Sequence, residues 1–364
     1  MSDESTGGGE FDFIERLRRR ELSRSTEDKH SALLLGIGDD AALLSPRAGF
    51  DTVITADMLV EGVDFRLEPG WSSPRDLGHK ALAVSLSDVA AMGARPRFCL
   101  LSIGVPRALW RGGFAEEFYG GVRGLARRHG VRIVGGDTSG TPGGVVVDSV
   151  VLGEVRRGRA LARGGARAGD QIFVTGTLGG AAAGLKILEN FRAGNRPPSA
   201  RRFLPASSAK NTLTRAARGL VLRQTRPLPR VEWGALLGEG RLASALIDLS
   251  DGLSSDLAHV CRASGVGARV EAPLLPLDPR LRAAGFGADE ALALALDGGE
   301  DFELLFTVGP RKASLLPREV AGVRITRVGE VTAERGKVRL VGDGRARLLR
   351  PGGFEHFARG RRKV

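Results

Sequence analysis

The chain has 364 residues, 42% hydrophobic and 26% charged, which is enough for two domains with separate cores and is the composition of a folded chain. No apolar run approaches the ~20 residues of a membrane span, and the polar start MSDESTGGGE lacks the basic end and apolar stretch of a secretory signal, so a cytoplasmic protein is expected. The net charge of +12 is local, because ten Arg or Lys with no acid fall in residues 190–230 and four more in the last nine residues; such runs read as solvated faces, and neither nucleic acid nor membrane is expected as a partner.

In chain order, residues 1–10 read as a disordered tail, and FDFIERLRRR (11–20) suits a short amphipathic helix. Strand patterns follow at TVITAD (52–57), RFCLLSIGV (97–105), VRIVGGD (131–137) and GVVVDSVVLGEV (144–155), with helical patterns at 74–92 and 113–129. Residues 11–155 thus predict an N-terminal domain of α/β or α+β class. The turn-rich RRGRALARGGARAGD (156–170) opens a second, α/β domain over 156–364.

In that domain QIFVTGTLGGAAAGLKILEN reads as strand, glycine turn and helix. Leu185 stands where a P-loop needs lysine, so the glycines of 179–184 are read as allowing close helix–strand packing. Residues 190–231, basic and broken by proline, read as a long loop with one short helix. LASALIDLSDGLSSDLAHVCRASG (242–265) is strand then helix, with Ser250 or Asp251 as N-cap. LALALDGGEDFELLFTVG (292–309) gives a glycine turn and a strand. Cys99 and Cys261 sit in apolar surroundings and are expected to be buried thiols, and the five histidines lack zinc-ligand spacing.

The chemistry lies in the aspartates. GIGDDAALL (36–44) carries Asp39 and Asp40; Asp57 ends one strand pattern, Asp137 another and Asp248 a third; Asp88 lies in SLSDVAAMG, and Asp251 follows Asp248 by three residues. Strand ends and the loops after them build sites in such folds, so these acids are expected to converge. Two like charges at ~4 Å repel by ~4 kcal/mol at an effective dielectric near 20. Hard oxygen ligands without His or Cys select Mg²⁺, Ca²⁺ or Mn²⁺. Because Mg²⁺ takes few carboxylates and completes its shell with phosphate and water, dispersed acids imply several Mg²⁺ ions around phosphates. Each aspartate alone is equally read as a turn residue. Phosphate oxygens would lie on the backbone amides of GIGDD, GGDTSG (135–140), TGTLGG (175–180) and SDGLSSD (250–256).

Eight motifs in order, GIGDDAALL, TADMLVEGVDF, LGHKALAVSLSDVAAMGARP, GGDTSG, RAGDQIFVTGTLGGAAAGL, IDLSDGLSSDL, GGEDFELLFTV and GGFEHF, make the chain resemble the thiamine-monophosphate kinases of the aminoimidazole ribonucleotide synthetase-like superfamily. The resemblance implies a two-domain fold whose N-terminal sheet pairs into a barrel across a homodimer, with ATP between the domains. It implies phosphoryl transfer from ATP to thiamine monophosphate. The Mg²⁺ ligands it implies are Asp40, Thr55, Asp57, Asp88, Asp137, Asp248 and Asp251. Nucleotide contacts fall on Tyr119, Gly136, Asp137, Arg163 and Ser250, and substrate contacts on Asp64, Glu300 and Phe354. The family usually carries His where this chain has Asp64, and an acid there can pair with the thiamine cation. No residue is assigned as acid or base. Two other readings stay open: another ATP-using synthetase of the superfamily, and a non-catalytic binder of nucleotide or RNA. Selenophosphate synthetase is disfavoured because no Cys precedes Cys99, the hydrogenase-maturation relative because the C-terminus is RGRRKV, and the aminoimidazole ribonucleotide synthetase because GGEDFEL is present.

Overall fold

The structure is a computed structural model that describes residues 16–20, 33–35, 37, 42–68, 71–192 and 213–354. The expected tail 1–10, Asp39, Asp40 and residues 193–212 of the basic stretch lie outside them. The chain divides into two compact units after Gly158, with residues 90–93 joining the second.

The first unit comprises β1 (Phe50–Val60), α1 (Pro74–Ala91), β2 (Arg95–Pro106), α2 (Phe114–Arg128), β3 (Arg132–Thr141) and β4 (Val146–Arg156). The sheet order is β1-β4-β2-β3; β4 runs antiparallel to both neighbours, and β2 and β3 are parallel. Period-two alternation sorts β1 between two faces. Thr55, Asp57 and Leu59 turn inward, while Ile54 and Met58 are 65% and 63% exposed. Helix α1 covers the inner face. A reciprocal cap starts it: the Ser73 backbone N–H and hydroxyl both donate to Asp76 Oδ2, and the Asp76 N–H donates to Ser73 Oγ. Two glycines let α1 and α2 touch backbone to backbone. A Cβ on Gly78 would lie 1.9 Å from the Phe118 carbonyl oxygen, and one on Gly121 2.0 Å from that of Arg75.

The second unit comprises β5 (Gln171–Thr175), α3 (Gly180–Arg192), α4 (Arg215–Thr225), α5 (Val231–Glu239), β6 (Ala245–Asp248), α6 (Leu253–Ser264), β7 (Gly267–Glu271), α7 (Ala288–Asp297), β8 (Leu304–Val308), β9 (Val323–Thr332), β10 (Val338–Gly342) and β11 (Arg345–Leu348). The sheet order is β11-β10-β7-β9-β5-β8-β6, with Glu319–Val320 added beside β9. Its pairings are antiparallel except β10 with β7, so this domain is nearer α+β than a parallel α/β sheet. Ile172, Val174, Ile247, Leu257, Leu305 and Val331 belong to its core. A smaller apolar cluster of Ala183, Ile187, Ala217, Leu220 and Leu281 joins α3 to α4.

Two local expectations need correction. The N-cap of α6 is Gly252 at φ 116°, not Ser250 or Asp251; Asp256, one turn inside, accepts the Gly252 and Asp251 N–H groups at 3.0 and 3.2 Å. Gly184 serves helix–helix rather than helix–strand packing, since a Cβ there would fall 2.2 Å from the Leu220 carbonyl oxygen on α4. The one short helix expected within 190–231 is α4, eleven residues capped by Thr214 Oγ1 accepting the Ala217 N–H. Cys99 and Cys261 are buried free thiols, as their surroundings indicate. No helix among the described residues is long and apolar enough to cross a membrane.

Candidate functional site

In the first unit, the packing of α1 on β1 brings Thr55, Asp57 and Asp88 together. Thr55 Oγ1 donates to Asp88 Oδ2 at 2.5 Å. Ser85 Oγ, on α1, lies 2.9 Å from Asp57 Oδ2 and bonds the Ser149 carbonyl and hydroxyl oxygens. Burial first, then the charges of Asp88 and Asp148, push Asp57 up to about 6 against the pull of the Ser85 hydroxyl.

Asp148 is a member of this acidic group that sequence reading missed. It lies in β4 opposite Met58 of β1 and Ser102 of β2, and Ser102 in turn faces Asp137 of β3. Asp137 and Asp148 therefore share one cross-strand row, two strand spacings or about 10 Å apart. Asp137 is exposed, and its Oδ1 accepts the Thr138 N–H. Beside it Gly136 has φ 151°, and a Cβ there would stand 2.0 Å from the Leu101 carbonyl oxygen, so no other residue fits.

In the second unit, Asp248 ends β6 and is 3% exposed, with Ser250 and Asp251 in the turn that follows. Asp256 completes this group and was also missed. Burial, then the charges of Asp248 and Asp251, push it up to about 8, although two backbone amides oppose the shift. Glu300 and Phe354 come to the same turn: the Glu300 N–H donates to the Ser250 carbonyl at 2.8 Å and the Phe354 N–H to that of Asp251 at 3.2 Å. Gln224 Nε2 donates to Glu300 Oε2.

Two expected contacts sit differently. Tyr119 is buried in α2, edge-on to Phe118, and burial pushes its hydroxyl well above the usual range. Asp64 turns back on its own turn, where Oδ2 accepts the Val60 N–H at 2.9 Å, while its carbonyl takes the buried Lys80 Nζ at 3.0 Å. Arg163 is exposed in the second unit, and Asp40 lies outside the described residues. Among the described residues no three His, Cys, Asp or Glu side chains form a ready-made metal cage. A cavity of about 630 Å³ opens elsewhere in the second unit, lined by Arg167, Asp170, Ser244, Arg311 and Lys312 among others, and none of the expected site residues lines it.

Paired acids near a glycine held at close approach, in two α+β units, are the features to compare with known proteins. Residues 38–155 match the AIR synthase related protein N-terminal domain, and residues 167–341 the C-terminal domain of the same class. The chain is thus an AIR synthase related protein. Thiamine-monophosphate kinase of Bacillus subtilis (strain 168) is 36% identical over 351 residues, 96% of this chain and 99% of that protein. The crystal structure of thiamine-monophosphate kinase from Stenotrophomonas maltophilia K279a superposes with a TM-score of 0.76 at 40% identity, covering 93% of this chain and 98% of that one. AaThiL complexed with AMPPCP and TMP gives a TM-score of 0.71 at 29% identity, over 98% and 99%. The chain belongs to the thiamine-monophosphate kinase family.

Proposed function

We propose that the chain transfers the γ-phosphoryl group of ATP directly to the phosphate of thiamine monophosphate, giving thiamine diphosphate and ADP. The observation that carries this reading is similarity over nearly the full length to AaThiL, a protein complexed with AMPPCP and TMP. The acceptor is a phosphate, ionised at neutral pH, so no side chain has to remove a proton from it. The obstacle is repulsion between two polyanions that must meet in line. The chain's task is to hold them in that geometry.

The donor chemistry fits Mg²⁺: carboxylates and one hydroxyl, without sulfur or imidazole. Asp57 and Asp256, raised by burial and by neighbouring carboxylates, are held at a cost that a cation relieves. Asp40, Thr55, Asp57, Asp88, Asp137, Asp248 and Asp251 would hold several such ions, with Asp148 and Asp256 beside them. Bound there, Mg²⁺ supplies neutralisation of the phosphate charges. Tyr119, Gly136, Asp137, Arg163 and Ser250 serve the nucleotide. Asp64, Glu300 and Phe354 serve the acceptor, where an aromatic ring suits the cationic thiazolium.

The working form is a homodimer. On the outer face of the β1-β4-β2-β3 sheet, Ile54 and Met58 are 65% and 63% exposed, apolar side chains that a second copy would cover in closing a barrel.

Incubation with ATP, Mg²⁺ and thiamine monophosphate, followed by mass spectrometry of the products, tests the activity. Equal amounts of thiamine diphosphate and ADP are expected. ADP release with aminoimidazole-pathway substrates but not with thiamine monophosphate would instead assign another synthetase reaction. Asp137→Asn is expected to cut turnover sharply with the fold intact, as read by circular dichroism; wild-type turnover would remove Asp137 from the site.

A further inference from the structure

The loop after β6 carries three consecutive backbone carbonyls, and distant parts of the second unit use all three. Leu249 accepts the Phe302 N–H at 2.9 Å, Ser250 that of Glu300 at 2.8 Å, and Asp251 that of Phe354 at 3.2 Å. The Glu300 segment meets the loop in an unusual backbone conformation, with Glu300 and Phe302 at φ 66° and 49°, values that residues other than glycine seldom adopt. The Phe354 segment is fastened a second time, from α6. The Gly352 N–H donates to Ser254 Oγ at 3.0 Å and the Gly353 N–H to Ser255 Oγ at 3.1 Å. Ser254 Oγ donates onward to Asp297 Oδ1 of α7 at 2.6 Å.

These serines are not capping their own helix. Hydroxyls near a helix start usually bond local backbone groups, yet α6 has no side-chain cap, and Ser254 and Ser255 reach a segment 98 residues away. Ser254 is fully buried and Ser255 is 9% exposed. The fit leaves no room for a side chain on the docked segment: a Cβ on Gly352 would stand 2.5 Å from Asp297 Oδ1, and one on Gly353 2.1 Å from the Asp251 carbonyl oxygen.

We infer that Ser254 and Ser255 are positioning residues for the acceptor: they seat Gly352–Phe354 on the loop that bears Asp251, so that Phe354 and Glu300 hang from neighbouring carbonyls of that loop. The inference rests on the proposed reading of Phe354 and Glu300 as acceptor contacts. It makes acceptor affinity depend on the register of the C-terminal segment, through residues that themselves touch neither substrate.

The test uses the full chain with Ser255→Ala, Ser254→Ala and, as reference, Phe354→Ala. Steady-state kinetics with ATP and thiamine monophosphate are combined with hydrogen exchange of a peptide spanning 349–356. Each serine variant is expected to raise KM for thiamine monophosphate about fivefold, the effect of one lost hydrogen bond. KM for ATP and kcat should stay within about twofold of wild type, below the scatter expected of a single interaction. The Gly352–Phe354 amides should exchange about tenfold faster, following local opening. Unchanged exchange in Ser255→Ala overturns the inference, because the serine then does not hold the segment. Faster exchange with an unchanged KM for thiamine monophosphate, while Phe354→Ala raises it, overturns the positioning role alone. An equal rise in both KM values reduces the effect to general loosening and also overturns it. If Phe354→Ala leaves KM for thiamine monophosphate unchanged while thiamine diphosphate still forms, Phe354 is not an acceptor contact, and the inference falls with that assignment while the proposed activity stands. Ser254→Ala strands the Asp297 carboxylate; should it fail to fold, Ser255→Ala decides.

Discussion

Two clusters of buried carboxylates in this chain are built in opposite ways. Around Glu303, Arg230 supplies Nη2 to Oε1 and Nε to Oε2, both at 2.5 Å, Arg223 adds Nη2 at 3.0 Å, and Thr175 adds its hydroxyl at 2.7 Å. Burial alone would raise Glu303, but Arg230 and Arg223 outweigh it and hold the carboxyl below its ordinary value. Around Asp57 the neighbours are hydroxyls and other acids, and its pKa climbs to about 6. No Arg or Lys among the described residues forms an ion pair with Asp57, Asp88 or Asp148. Both clusters bear the desolvation cost of buried charge. One is compensated by fixed cations within the fold; the other has hydroxyls and further acids around it, and on the proposed reading a metal cation would supply its counter-charge. Asp301, beside Glu303, shows how strong burial is: it remains at about 6 despite Arg223 and the Gly179 and Ala181 amides.

The largest expected effect breaks the compensated cluster. Glu303→Gln leaves Arg230 and Arg223 buried without their shared counter-charge, and should cost about 3–5 kcal/mol of stability. Urea unfolding with Mg²⁺ absent reads it; a loss under about 1 kcal/mol would show that the arginines find other partners. Next comes Asp57→Asn, with the opposite signature. Removing one of several repelling acids should leave the thermal midpoint unchanged or higher, while turnover falls by roughly 100-fold or more, beyond what loss of an outer-sphere partner costs. A variant that is destabilised yet active would reverse the roles of the two clusters.

Acid titration sharpens the comparison further. The Glu303 carboxyl lies below its ordinary 4.5 in the fold, so the folded state binds fewer protons than the unfolded chain. Its contribution is present above pH 4.5 and is lost as pH falls through the depressed value. The stability gap between wild type and Glu303→Gln should therefore be full at neutral pH and narrow steadily below pH 4.5. A gap that widens on acidification would mean that Glu303 is protonated in the fold at neutral pH.

The same contrast explains what could be read from sequence. The strands of the first unit were legible as apolar, β-branched runs that end in turn residues, which also marked Asp57 and Asp137, while Thr55 came from the family resemblance. Asp148 was not, because in GVVVDSVVLGEV it occupies an ordinary polar position of a half-buried strand. The β1–β4 register is what sets it opposite Met58, next to the Asp57–Ser149 pair, close enough for its charge to act on Asp57. Asp256 was hidden in the same way: on a helix it reads as a surface acid, and the end of β6 gives it its charged neighbours. Helix α4 could be expected as one short helix somewhere in 190–231 but not placed, since arginines and prolines masked the apolar Ala217 and Leu220 that pack on α3. The fastening of the C-terminal segment spans 98 residues, and no local pattern announces it.

The smallest effect is at Asp64, which belongs to neither kind of cluster. Its carboxylate is bonded to its own turn through the Val60 N–H, and the Asp64 N–H returns a bond to the Val60 carbonyl at 3.0 Å. That turn follows β1, three residues past Asp57, so Asp64 has a structural duty whatever it does for the acceptor. Two variants separate the duties. Asp64→Asn keeps an oxygen for the Val60 N–H and removes the charge; Asp64→Ala removes both. If Asp64 pairs with the thiamine cation, Asn should hold the thermal midpoint while raising KM for thiamine monophosphate about two- to fivefold, the range of an exposed ion pair. Ala should show the same KM shift plus a loss of about 1 kcal/mol from the broken turn bond. A KM that moves with Ala but not with Asn would assign Asp64 to the turn alone, because then the oxygen matters and the charge does not.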